Sequence, residues 1–142
     1  MKVLIAEDDT DSRELLSWFL HKLGYQVIAT KNGEEAWKAY QEESFRLVIS
    51  DLLMPDVGGL ELCRRIRAAD STVYTYIIVL TALIDKKNYL EGMQAGADVF
   101  VTKPFDLDEL KARLLAAQRI ISFQEQTAAP SPRAGKNTGK VG

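Results

Sequence analysis

Apolar residues in this chain fall into two alternating patterns. Five short blocks, at about 2–6, 26–30, 47–51, 76–82 and 99–102, are dense in Val, Ile, Leu and Thr. Between them lie longer stretches in which apolar residues recur every three or four positions. Blocks of the first kind predict strands, and stretches of the second kind predict amphipathic helices. The blocks at 47–51 and 76–80 are nearly unbroken, as expected of inner strands covered on both faces. Strict alternation of the two kinds predicts βαβ units and a mostly parallel sheet.

The helices carry start and stop signals. The first is expected from about Asp11 or Ser12, with Leu15, Leu16, Phe19, Leu20 and Leu23 as its apolar stripe and Gly24 as its terminating glycine. Asn32 and Glu35 stand at capping-box spacing for the second. The third is expected over about 59–69, with Leu60, Cys63 and Ile66 in line. The fourth runs from Asp85 to Gly96. The fifth opens with Asp106-x-x-Glu109, shows Leu110, Leu114 and Ala117 in register, and continues through Ile120, Ile121 and Phe123 to about Gln126. Beyond that, 127–142 is rich in Ala, Pro, Gly, Ser and Lys without an apolar period. The expected organisation is one domain over 1–122. A helix extension follows from 123, and then a linker, a disordered tail or residues foreign to the domain.

Composition narrows the chemistry. The 142 residues carry 46% hydrophobic residues and a net charge of −2, which suits one domain and argues against nucleic-acid binding by this segment. One cysteine, Cys63, excludes an internal disulfide and a cysteine-based zinc site, and one histidine, His21, excludes a multi-histidine metal site. Cys63 is expected in the core and His21 on a solvated helix face. No apolar run is long enough to span a membrane, and a cytoplasmic location is expected.

Four points follow four of the apolar blocks: Glu7-Asp8-Asp9, Asp51, Thr81 and Lys103-Pro104. Parallel strands would bring all four to the carboxyl edge of one sheet. Clustered carboxylates repel: two full charges about 5 Å apart cost about 3 kcal/mol at an effective dielectric near 20. They either protonate or hold a cation. Oxygen ligands with open positions suit Mg²⁺ or Mn²⁺. An aspartate at a strand end can serve as nucleophile, Lys103 can supply a fixed cation, and Thr81 a hydroxyl. The reaction so described is phosphoryl transfer to Asp51.

The strings Ile5-Ala6-Glu7-Asp8-Asp9, Ile49-Ser50-Asp51-Leu52-Leu53-Met54-Pro55, Leu80-Thr81-Ala82 and Ala97-Asp98-Val99-Phe100-Val101-Thr102-Lys103-Pro104-Phe105 together resemble the receiver domains of two-component response regulators. The resemblance covers about 2–122. It implies a doubly wound, five-stranded parallel sheet of order 2-1-3-4-5 with five helices, the last one extended. It implies that Asp51 is the phosphoacceptor, and that Glu7, Asp8, Asp51 and the backbone carbonyl of Leu53 hold Mg²⁺. Thr81 and Phe100 would be the switch residues, Lys103 the phosphoryl partner, and the Lys103-Pro104 bond cis. Three successive acids permit a one-residue shift. Arg13, six positions after Glu7, favours Glu7 and Asp8 as the metal pair and leaves Asp9 as a neighbour. One departure is Gly58, where the family usually has Asp, which is expected to loosen the loop before the third helix.

The implied partners are a sensor histidine kinase or phosphotransfer protein, and an output domain or protein on the face of the fourth helix, fifth strand and fifth helix. A homodimer through Ile120, Ile121 and Phe123 is a further expectation. On phosphorylation Thr81 is expected to move toward the phosphoryl group and Phe100 inward. Leu53 and Leu83 cannot orient an attacking water, so slow self-dephosphorylation is expected. The resemblance implies a domain that catalyses its own Asp51 phosphorylation and dephosphorylation and is not a turnover enzyme. A haloacid-dehalogenase phosphatase would need an acid at Leu53, and a flavodoxin would need a phosphate loop where Glu7-Asp8-Asp9 stand. A third alternative is a receiver-like module that only binds a partner. The tail string from Ala134 to Val141 imitates a nucleotide-binding loop but has Val141 where a hydroxyl is required.

Overall fold

The structure is a computed structural model in which residues 1–69, 71–82 and 85–128 are described, the side chains of 127 and 128 excepted. Elements alternate along the chain: β1 (Lys2–Ala6), α1 (Thr10–Lys22), β2 (Gln26–Thr30), α2 (Gly33–Glu42), β3 (Leu47–Asp51), α3 (Gly59–Ala68), β4 (Tyr76–Thr81), α4 (Lys86–Ala95), β5 (Val99–Thr102) and α5 (Leu107–Ala128). The strands form one parallel sheet of order β2-β1-β3-β4-β5. The expected fold and strand spans are therefore present, with β4 ending at Thr81 rather than at 82.

Alternation along each strand divides the core in two. Leu4, Val48, Ile77, Val79 and Phe100 join Ala36, Leu62, Cys63, Ile66 and Ala95 on the face covered by α2, α3 and α4. Val3, Ile5, Leu47, Ile49, Ile78, Leu80 and Val101 meet Leu16, Phe19, Leu20, Leu110, Leu114 and Ala117 beneath α1 and α5. Each such buried aliphatic side chain is worth roughly 1.5–3 kcal/mol relative to exposure. β1 and β3 are neighbours whose following helices cover opposite faces. A crevice therefore opens beyond their carboxyl ends.

Local chemistry accounts for the helix limits. Asp9, Asn32 and Asp85 each occupy an N-cap and accept from the backbone N–H three residues on. Glu35 reaches back to the Lys31 N–H at 3.1 Å, closing the α2 entrance from the other side. Asp106 caps the entrance to α5, accepting from Asp108 N–H at 2.9 Å. Gly24 and Gly96 adopt φ +97° and +115°, conformations that stop α1 and α4.

Three expectations need correction. Leu15 is 45% exposed: Leu16, Phe19 and Leu20 turn the core-facing stripe away from it. In α3, Leu62 rather than Leu60 completes the buried set with Cys63 and Ile66. In α5, Ile121 is 1% exposed and packs in the chain's own core, so it is not available to a second copy. Ile120 and Phe123 do point outward. Helix α5 runs two residues past the expected Gln126. The expectations for 129–142 and for Leu83 lie outside the described residues. Among the described residues, no helix is long and apolar enough to cross a membrane.

Candidate functional site

Glu7 follows β1 directly and extends its pairing with β2, donating its backbone N–H to Thr30 O at 3.1 Å. Its side chain is fully buried. Asp8 is exposed, at the mouth of the crevice. Asp9 turns away: its Oδ2 accepts from Ser12 N–H at 2.8 Å, and that bond holds its carboxyl below the usual carboxylate range. Helix capping thus takes the third acid out of the cluster. Arg13 fastens the turn from one helical turn further on, donating to Glu7 O at 2.9 Å and to Asp8 O at 3.4 Å.

Asp51 ends β3, paired in register with Leu80, and is largely buried. The next residue in β4 is Thr81, itself buried and in register with Thr102. Lys103 follows that rung, with its N–H on Thr81 O at 2.9 Å. The Lys103-Pro104 bond is cis, as the resemblance implied. From there the Lys103 ammonium reaches back into the crevice. Its Nζ donates to Asp51 Oδ2 at 3.1 Å and lies 2.5 Å from Glu7 Oε1.

Among the described residues, carboxylate oxygens of Glu7, Asp8 and Asp51 all lie within 4.8 Å of one another. One ammonium cannot balance three carboxylates. Burial pushes the Glu7 carboxyl above the usual range. Contact with Lys103 and the Asp9 N–H opposes this shift, and the Asp51 charge adds to it. Burial alone would lower the Lys103 ammonium, but its contacts with Glu7 and Asp51 prevail and hold it above 10.5. Glu7 Oε1 is buried with the Lys103 ammonium 2.5 Å away. Three carboxylates whose oxygens lie within 4.8 Å of one another, with one ammonium among them, fit a hard divalent cation.

The contribution expected of Leu53 is its backbone carbonyl, on the loop directly after Asp51; its side chain is 60% exposed. Phe100 lies on the α4 side of the sheet and is already inside, 8% exposed, with its ring centroid 5.6 Å from that of Tyr89. At position 58, where the usual Asp is absent, Gly58 caps α3 without a side-chain hydrogen bond.

A second polar cluster, far from the crevice, went unread in the sequence. Arg67 donates to Gly96 O, Thr75 O, Tyr74 Oη and Asp98 Oδ2, tying α3 to the end of α4 and the start of β4. Asp98 also accepts from the Tyr74 hydroxyl and from Ile77 N–H at 2.8 Å. These residues span 31 positions, so no local pattern marks them. Gly92 is buried inside α4, and an interior helical glycine is the one signal of it in the sequence.

Residues 3–115 match the family model described as the response regulator receiver domain. The chain is similar to the transcriptional regulatory protein GltR of Pseudomonas aeruginosa, 37% identical over 123 residues, covering 87% of this chain and 51% of that protein. It is 36% identical over 138 residues to the transcriptional regulatory protein TrcR of Mycobacterium tuberculosis, covering 97% and 53%. Among solved structures, the receiver domain of Francisella response regulator 1452 superposes with a TM-score of 0.76 at 29% identity, covering 83% of this chain and 96% of that one. The BeF3-activated DrrB receiver domain does so at 0.74 and 36%, covering 83% and 97%. The chain spans about half the length of the curated relatives it matches. With the sheet order, the acidic crevice and these likenesses together, the chain belongs to the response regulator receiver domain family of two-component signalling.

Proposed function

We propose that this receiver domain takes a phosphoryl group onto Asp51 from a phosphohistidine of a sensor kinase or phosphotransfer protein. The observation that carries this reading is the Asp51 carboxylate, 3.1 Å from the Lys103 ammonium within the carboxylate group. An Asp51 oxygen attacks phosphorus, the N–P bond breaks, and its electron pair returns to the donor imidazole, which takes a proton from water. An acyl phosphate remains on Asp51. Lys103 stays charged and pairs with a phosphoryl oxygen, while Thr81 donates its hydroxyl to another. Glu7, Asp8, Asp51 and the Leu53 carbonyl would hold Mg²⁺ (or Mn²⁺). Such an ion offsets the negative charge that these carboxylates and the phosphoryl oxygens bring together.

The switch then runs through Thr81 and Phe100 to the face of α4, β5 and α5. Helix α4 exposes Tyr89, Leu90 and Met93, and α5 exposes Ile120 and Phe123. These apolar groups suit an output domain, a partner protein or a second copy of the chain. Residues 1–122 form the receiver in this reading, and the rest of α5 leads toward an output module. Because the relatives are about twice as long, the natural setting is a larger regulator in the cytoplasm.

The test is labelling with acetyl phosphate and Mg²⁺. Wild type takes up one phosphoryl group, and Asp51→Asn takes up none. Equal labelling of the two proteins would remove Asp51 from its role.

A further inference from the structure

Helix α4 contains a glycine, Gly92, in its interior, where alanine is the better helix former. Gly92 is buried, and the Phe100 ring fills the space a side chain would occupy. A Cβ at position 92 would stand 2.1 Å from Phe100 Cζ and 2.6 Å from Cε1. These are ring atoms of a buried side chain, bounded on another side by Tyr89, so the ring cannot yield by a small rotation. Either the ring leaves or α4 moves away from β5. The same glycine closes the helix, its carbonyl accepting from Gly96 N–H at 3.1 Å and Ala97 N–H at 3.0 Å. A shift of α4 at Gly92 therefore also strains the chain entering β5.

We infer that Gly92 is a positioning residue of the switch: its missing side chain is the slot that lets Phe100 lie inward while α4 packs closely on β5. An inward ring and a close α4 are then one state, since neither fits without the other. Tyr89, one turn earlier and 44% exposed, touches the ring and presents this state at the surface. The regulatory part rests on the reading of Asp51 and Phe100 given above, whereas the slot itself rests on packing alone.

The test is a double-mutant cycle of Gly92→Ala and Phe100→Ala, followed by urea unfolding. Gly92→Ala is expected to lower the urea midpoint in the wild-type background and to raise it in the Phe100→Ala background, where only helix preference remains. A higher midpoint in both backgrounds would overturn the slot. Binding of beryllium fluoride with Mg²⁺ is the second readout. Gly92→Ala is expected to weaken it roughly tenfold, with the loss absent when Phe100→Ala is added. Unchanged binding in Gly92→Ala would reduce the slot to packing and overturn the regulatory part. If wild type itself binds no beryllium fluoride, the reading of the Asp51 site fails, and the unfolding cycle alone still decides the slot.

Discussion

The Lys103 ammonium lies 2.5 Å from Glu7 Oε1, and the carboxylate it meets there is fully buried. Lys103 thus offsets charge at the base of the crevice as well as pairing with Asp51 at 3.1 Å. Removing one partner of a buried pair leaves the other uncompensated, and that cost exceeds the net worth of the pair. Lys103→Met is expected to lose about 3–5 kcal/mol of unfolding free energy in EDTA. The deficit should shrink in saturating Mg²⁺, which compensates the same carboxylates. Urea melts in the two conditions check this; equal deficits would show that lysine and metal do not share the charge.

The raised Glu7 carboxyl predicts how acid acts on metal binding. Burial is the main cause, opposed in part by Lys103. Above its folded pKa Glu7 is an unwelcome buried anion. Between that pKa and 4.5 the folded protein holds a proton that the unfolded chain has lost. Metal-free stability contributed by this group therefore rises as pH falls through that window. In the proposed site Mg²⁺ would need the carboxylate, so its affinity is expected to fall over the same window. Calorimetric titration with Mg²⁺ should show weakening that begins above pH 4.5, with proton release on binding. In Glu7→Gln that part of the pH dependence should vanish.

Tyr74 should keep its phenol proton to higher pH than an ordinary tyrosine. Burial pushes its phenol up to about 12, and the hydrogen bond to Asp98 and the Asp98 charge add to the shift. Tyr76 is raised too, mainly by burial. A raised phenol keeps its proton in the folded state after the unfolded chain has lost it, so stability falls as pH climbs from 10 toward about 12. Absorbance titration of tyrosinate should show a late phase that Tyr74→Phe removes. An unchanged curve in that variant would contradict the network around Asp98.

Two adjacent glycines should respond oppositely to substitution. Gly58 sits at the α3 N-cap with φ −80°, and a Cβ there would meet only Leu52 O, at 3.4 Å. Gly58→Ser is expected to add a few tenths of a kcal/mol by capping α3. A Cβ at Gly59 would lie 2.4 Å from Asp51 O. Gly59→Ala should cost about 2 kcal/mol and slow acetyl-phosphate labelling, because it displaces the backbone that carries Asp51. Melting curves and labelling rates of the two variants distinguish them.

Much of the fold is legible along the chain. Inner parallel strands are covered on both faces, so β3 and β4 appear as unbroken apolar runs at almost their true limits. Helix limits are legible because caps are local: Asn32, Asp85 and Gly96 satisfy or stop backbone groups within four residues of themselves. Which apolar residue of a neighbouring pair turns inward is less so. Leu15 beside Leu16, and Ile120 beside Ile121, differ by a helical rotation that only the docked helix settles.

The site divides in the same way. Residue types and their places after strands already announce carboxylates, a hydroxyl and an ammonium at one sheet edge, because parallel strands end on a common side. Sequence by itself therefore determined the fold class and the members of the cluster. Only tertiary structure decided that Glu7 is buried against Lys103 while Asp9 is spent on a helix cap. It likewise decided that Phe100 fits against Gly92. Such distances depend on how separate elements pack, and close packing brings together residues that share no local pattern.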